Sequence, residues 1–131
     1  MKVFLGGTCN GSRWRDELIP KLKCDYFNPV VPDWTSECYE EELRQRAECD
    51  FVLYVITSDM TGVYSIAEVV DDSNKRPQKT IFCVLYDTFS SLEKAQVKSL
   101  KAVEKMVINN GAIYAEDLDS VAHFLNDQEK R

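Results

Sequence analysis

The stretch TSDMTGVYSIAEVVDD, Thr57 to Asp72, carries one carboxylate, Glu68, between an apolar run and a helical pattern. Ser65-Ile66-Ala67-Glu68 fits the S-x-x-E capping box, in which the glutamate only closes a helix start. The same placement also suits chemistry. A carboxylate at a helix N-terminus is favoured in its ionised form, the form a nucleophile needs. The two roles coexist if the carboxylate faces an open crevice. A second stretch, GGTCNGSR, spaces Gly6 and Gly11 like the glycines of a phosphate-binding loop. Ser12-Arg13 stand where Lys and Ser/Thr should follow, which argues against an NTPase. What remains is a glycine turn opening a helix N-terminus, able to take a polar or anionic ligand. A tight strand-to-helix turn alone also calls for these glycines.

Metal chemistry has little support. The five cysteines, Cys9, Cys24, Cys38, Cys49 and Cys83, contain no C-x-x-C, and the single histidine, His123, is remote in sequence. Free thiols are expected, with Cys49 and Cys83 serving as small hydrophobes. No metal and no cofactor is expected. The net charge of −6 argues against a nucleic-acid polymer as partner, because neutralising phosphates needs a basic face. No apolar run reaches membrane-spanning length, and MKVFLGG turns to glycine too early for a signal peptide. A cytoplasmic protein is expected.

The 131 residues suit one domain, 1–131, burying roughly two thirds of its unfolded surface. KVFLG, Lys2 to Gly6, reads as a first strand. Ser12 is the expected cap of a helix to Leu22, with Trp14, Leu18 and Leu22 on one face and Pro20 disturbing the last turn. CDYFNP is a short second strand. A helix rich in Glu and Arg follows near Thr35 to Glu48. DFVLYVIT, Asp50 to Thr57, is continuously apolar, as a central parallel strand should be. A helix spans about Ser65 to Asn74, then KTIFCVLY forms another buried strand. Ser90 and Glu93 form a capping box for a helix to about Val107. AIYA is a weak last strand and DLDSVAHFLNDQ a closing helix. The alternation predicts an α/β fold: a three-layer, flavodoxin-like domain with five parallel strands ordered 2-1-3-4-5. Its crevice opens between strands one and three, at the loops GGTCNGS and TSDMTGVYS.

VFLGGTC, CDFVLYVIT and TGVYSIAEVVDDSNKRPQKTIFCVL resemble nucleoside 2-deoxyribosyltransferases and the related 2-deoxynucleoside 5-monophosphate N-hydrolases. The likeness runs from Lys2 to Leu85. It implies Glu68 as nucleophile and Glu42, eight residues before Asp50, as a second catalytic acid. It also implies a loop acid that helps hold the sugar, at Asp59, while Gly62 occupies the nearer position usual for that acid. Phe4 stands where many transferases carry a tyrosine; Tyr64 can replace it as a hydrogen-bond partner of Glu68. The expected substrate-binding set is Gly6, Gly7, Thr8, Ser12, Arg13, Asn28, Asp59, Gly62, Tyr64 and Ser65. Ser12 and Arg13 are expected near the mouth of the crevice, where they matter if the substrate carries a phosphate.

The implied activity is cleavage or transfer of the N-glycosidic bond of a 2-deoxynucleoside or its 5-monophosphate. A dinucleotide hydrolase of related fold is a variant of it. The alternative is a nucleotide-binding or sensing module without turnover. A response-regulator receiver is disfavoured, because Gly6-Gly7 occupy the place of its acidic pair. The expected partner is a small nucleoside or nucleotide, not a membrane, and the chain is expected to form a homo-oligomer. Trp34, in the loop after the second strand, either stacks on a base or packs against the helix below. Asp71-Asp72 with Lys75-Arg76 read as a solvated helix end. His123 reads as a surface or interface residue, and Lys94 to Lys105 as an amphipathic, charge-alternating face.

Overall fold

The computed structural model describes residues 1–9 and 11–131; Asn10, in the glycine turn, lies outside them. The strands are β1 (Lys2–Gly7), β2 (Asp25–Phe27), β3 (Phe51–Ile56), β4 (Thr80–Val84) and β5 (Ile113–Tyr114). The helices are α1 (Trp14–Leu18), α2 (Ser36–Glu48), α3 (Tyr64–Lys75), α4 (Lys94–Asn109) and α5 (Leu118–Lys130). All strand pairs are parallel, in the order β2-β1-β3-β4-β5. This is the expected flavodoxin-like α/β architecture.

The two-residue period of a strand sorts its side chains onto two faces. Val3, Leu5, Leu53, Val55, Ile81 and Cys83 pack with Trp14 and Leu18 of α1 and with Val121 and Leu125 of α5. Phe4, Val52, Tyr54, Ile56, Phe82 and Val84 pack with Val69 of α3 and with Leu100 and Val107 of α4. The central strands are therefore covered on both sides, and their sequences stay apolar without alternation.

Packing alone requires the two glycines that end β1. Gly7 has φ +117°, and a Cβ there would come 2.1 Å from the Val55 carbonyl oxygen. A Cβ at Gly6 would meet the Tyr54 ring at 2.6 Å.

Several helix starts differ from expectation. Arg13, not Ser12, takes the N-cap position of α1, and no side chain caps it. The Ser12 hydroxyl instead lies 3.3 Å from that of Thr57. Beyond Leu18 the chain tightens into a 3-10 turn containing Pro20, which has no N–H for the helical ladder. α3 begins one residue early, with Val63 as its uncapped N-cap position. The Ser65–Glu68 capping box therefore does not form: Glu68 is the fifth residue of the helix, too far along to reach back. The box at Ser90 and Glu93 does form and leads through a 3-10 turn into α4. Thr35 caps α2 and Asp117 caps α5.

Asp71 to Arg76 is a solvated helix end at Asn74 and Lys75 but not at Asp72. Asp72 is fully buried and accepts hydrogen bonds from Tyr54, Arg46 and Arg76. The five cysteines are unpaired. Among the described residues, no helix is long and apolar enough to cross a membrane.

Candidate active site

A cleft of about 320 Å³ opens at the carboxyl ends of β1 and β3. Connections from these strands leave in opposite directions, which is where an open α/β sheet forms its crevice. Gly6 and Gly7 of β1, with Thr8 and Cys9 beyond it, make one wall; Pro29, Val30, Val31 and Trp34 overhang it from the loop after β2. Glu42 enters from α2, and Gly62, Tyr64, Ser65 and Glu68 from the start of α3. A wider groove between α3 and α4 is walled chiefly by apolar side chains such as Val63, Ile66, Val70 and Val103. Glu42 and Glu68 both line the first cleft, whereas Asp71 lines this groove.

Glu68 lies at the cleft wall with 7% of its surface exposed. Burial pushes its pKa up from 4.5 to about 7. The nearby Arg46 guanidinium pulls it down, while the Glu42 and Asp72 carboxylates push it up further. The helix dipole contributes little, since its effect fades within the first turn. The sequence expectation of a firmly ionised Glu68 is thus corrected: near neutral pH the two forms coexist.

Arg46 of α2 is 4% exposed and reaches across to α3. Its Nη1 lies 3.7 Å from Glu68 Oε2. Its Nε and Nη2 donate to the two oxygens of Asp72 at 3.1 and 3.0 Å, and Nη2 also donates to Asp71 at 2.9 Å. Burial opposes the Arg46 charge, but the Asp72 hydrogen bonds and the surrounding negative charge outweigh it and hold its pKa above the usual guanidinium range. The Tyr54 hydroxyl donates to Asp72 at 2.5 Å. Burial, then the Asp72 and Glu68 charges, raise the Tyr54 pKa.

The rim is aromatic. Trp34 Nε1 donates to Glu42 Oε2 at 2.8 Å. Trp34 meets Tyr39 edge-on at 5.5 Å between ring centroids, and Tyr39 meets Tyr64 at 6.5 Å. The Tyr64 hydroxyl donates to that of Tyr39 at 3.5 Å, not to Glu68, so Tyr64 does not take the expected supporting role. That hydrogen bond, followed by burial, raises the Tyr64 pKa to about 12.

Arg15 braces the glycine turn. It is buried, and its guanidinium donates to the carbonyls of Leu5, Thr8 and Gly7. Burial lowers its pKa. Trp14 Nε1 donates to the Thr8 carbonyl, and the Thr8 hydroxyl accepts the Thr57 N–H, tying the ends of β1 and β3 together.

Gly6, Gly7, Thr8, Glu42, Gly62, Tyr64, Ser65 and Glu68 therefore share one cleft. Ser12, Arg13, Asn28 and Asp59 stand outside its lining. The Arg13 side chain is 78% exposed and pairs with Asp16 on its own helix. Asn28 Oδ1 accepts the Val30 N–H and shapes the overhanging loop. Asp59 is exposed beyond β3. Among the described residues, no group of three His, Cys, Asp or Glu side chains could hold a metal ion.

The family model described as nucleoside 2-deoxyribosyltransferase like matches residues 1–88, from β1 past β4 and including every residue of the cleft lining. The chain belongs to the nucleoside 2-deoxyribosyltransferase-like family. No curated protein matches the chain.

At this deoxyribosyltransferase-like cleft, sequence reasoning passed over Arg15, which lines it, and Arg46, Tyr39 and Tyr54, which contact its lining residues. A signal existed for Arg46. SECYEEELRQRAE of α2 has no apolar stripe, so a helix covering a sheet there must bury polar groups, and Gln45 and Arg46 are its buried residues. Arg46 also follows Glu42 by four residues, which sets both on one helix face. Nothing comparable marked Tyr54, which reads as one more apolar position of β3.

Proposed function

We propose that the protein cleaves or transfers the N-glycosidic bond of a 2-deoxynucleoside or its 5-monophosphate, with Glu68 as nucleophile. The observation that carries this reading is the buried Glu68 carboxylate facing the switch-point cleft, charge-paired with Arg46 and sharing that cleft with a second carboxylate, Glu42.

A Glu68 oxygen attacks the anomeric carbon as the bond to the base breaks through an oxocarbenium-like state. The electron pair stays on the base nitrogen, and Glu42, or a water beside it, supplies the proton that makes the leaving base neutral. Water or a second base then attacks the same carbon from the opposite side, returns a proton to Glu42 or its water, and frees the Glu68 carboxylate. Water gives hydrolysis and a base gives transfer, both with net retention. The Trp34, Tyr39 and Tyr64 rim offers the base apolar and aromatic surface.

The test is chromatography of a deoxynucleoside, or its monophosphate, incubated with a second free base. Wild type is expected to release base or form the exchanged nucleoside. Glu68→Gln is expected to keep its fold and substrate affinity, with a melting temperature near that of wild type at about pH 5, while turnover drops at least about a thousandfold. Undiminished turnover in that variant would overturn the assignment. A wild type that binds nucleotide tightly without turnover would favour the sensing module.

A further inference from the structure

We propose that Arg46 is a positioning residue for this reaction, holding the Glu68 carboxylate and its charge at the cleft while Asp72, Tyr54 and Arg76 fix the guanidinium from behind. The inference rests on the reading of Glu68 as nucleophile.

The argument begins with where the donors of Arg46 go. Its Nε and Nη2 form a fork on Asp72, the bidentate geometry that immobilises a guanidinium. Tyr54 and Arg76 hold the same Asp72 from β3 and from the end of α3. The remaining nitrogen, Nη1, faces Glu68 at 3.7 Å, a charge contact rather than a hydrogen bond. The side chains of Arg46, Glu68 and Asp72 are 5%, 8% and 0% exposed, so solvent screens them little.

Charge balance points the same way. Asp71 is shared with the exposed Lys75. The inner group is then Arg46 and Arg76 against Asp72 and Glu68, and it is neutral only when Glu68 is ionised. A tie between α2 and α3 alone needs only the Asp72 fork. The groups that bear on Glu68 are Glu42 and Arg46 from α2, Tyr64 and Asp72 from α3, and Tyr54 from β3. Arg15 of α1 and Cys9 of the glycine turn line the same cleft. Among the described residues, Arg46 is the cation in contact with Glu68.

The test follows the Glu68 carboxyl by carbon-13 NMR titration in the ligand-free protein, beside the pH dependence of base release, in four folded proteins. These are wild type, Arg46→Lys, Asp72→Asn, and the double variant Arg46→Met with Asp72→Asn, which avoids stranding a buried aspartate. Asp72 itself raises the Glu68 pKa, so the double variant is read against Asp72→Asn, above which it should titrate Glu68 by about one pH unit or more, with the acid limb of kcat/KM moving equally. Arg46→Lys keeps the charge without the fork and should titrate Glu68 above wild type by less. A double-variant midpoint equal to that of Asp72→Asn, or an Arg46→Lys midpoint equal to wild type, would overturn the proposal and leave Arg46 a structural tie. If the midpoint moves but wild-type base release does not follow Glu68 ionisation, the charge contact stands. The nucleophile reading is then what fails, and Arg46's part in the reaction with it.

Discussion

Trp34, 57% exposed, spends its indole N–H on the Glu42 carboxylate at 2.8 Å. An exposed tryptophan usually leaves that donor to water. Here it fixes a carboxylate over a cleft whose other wall carries Glu68. Sequence alone left Trp34 between stacking on a base and packing on a helix; the structure gives it an edge contact with Tyr39 and a hydrogen bond to Glu42, both on α2.

If Glu42 supplies the proton to the leaving base, Glu42→Gln should slow base release by about a hundredfold or more. Trp34→Phe keeps the aromatic wall but frees the carboxylate, so a loss of about tenfold is expected. A purine deoxynucleoside methylated to carry positive charge needs no proton on departure and should restore most of the lost rate in both variants. Failure of that substrate to restore the rate would remove the acid role from Glu42.

The raised Glu68 pKa sets two pH dependences. Nucleophilic attack needs the carboxylate, so kcat/KM should fall as pH drops below about 7. Stability runs the other way. A carboxyl with a folded pKa near 7 and an unfolded one near 4.5 binds its proton more tightly in the native state. Its contribution is complete below about pH 4.5 and is lost as pH rises through 7. The span corresponds to roughly 3 kcal/mol at most. Glu68→Gln cannot titrate, so urea unfolding between pH 5 and 8 should show a flatter pH dependence than wild type. Identical slopes would place the Glu68 pKa near its ordinary value.

Asp72 should be the costliest acidic residue to remove. Asp72→Ala leaves Arg46 buried without its fork and Tyr54 without an acceptor, and should cost about 3–5 kcal/mol. Asp71, shared between the buried Arg46 and the exposed Lys75, should cost less, about 1–2 kcal/mol as Asp71→Ala, because Arg46 keeps its Asp72 fork. Equal melting temperatures for the two variants would contradict the network.

The sheet was legible because central parallel strands announce themselves as unbroken apolar runs, as Asp50 to Thr57 does. The strand order followed from the alternation of patterns and the handedness of crossovers. The position of Glu68 at the crevice followed in turn. Its ionisation did not, because pKa depends on burial and on Arg46, which arrives from another helix. Asp72 was misread for a related reason. An acidic pair beside Lys75-Arg76 looks like a solvated end unless Tyr54, eighteen residues earlier, is known to lie underneath. Ser12 and Arg13 were placed by analogy with a phosphate loop, but α1 starts one residue later than a Ser12 cap required. Arg15 then enters the cleft, and Arg13 turns outward.

Gly7 and Gly62, two of the three glycines expected to touch substrate, separate cleanly by what surrounds them. Gly7 combines a positive φ with a backbone wall: the Val55 carbonyl oxygen cannot move without breaking the β1–β3 pairing. Gly7→Ala should therefore cost more than about 4 kcal/mol and leave little folded protein at any substrate concentration. Gly62 has no positive φ and nothing within 4 Å of a built Cβ, so Gly62→Ala should change stability by less than about 0.5 kcal/mol. Because Gly62 lines the cleft, a methyl there adds bulk to the wall of the proposed substrate site. The expected result is an unchanged melting temperature with a raised KM for the deoxynucleoside. An unchanged KM would show that the substrate does not approach this side of the cleft, and would restrict its contacts to the β1 turn, the overhanging loop and the α2 carboxylate.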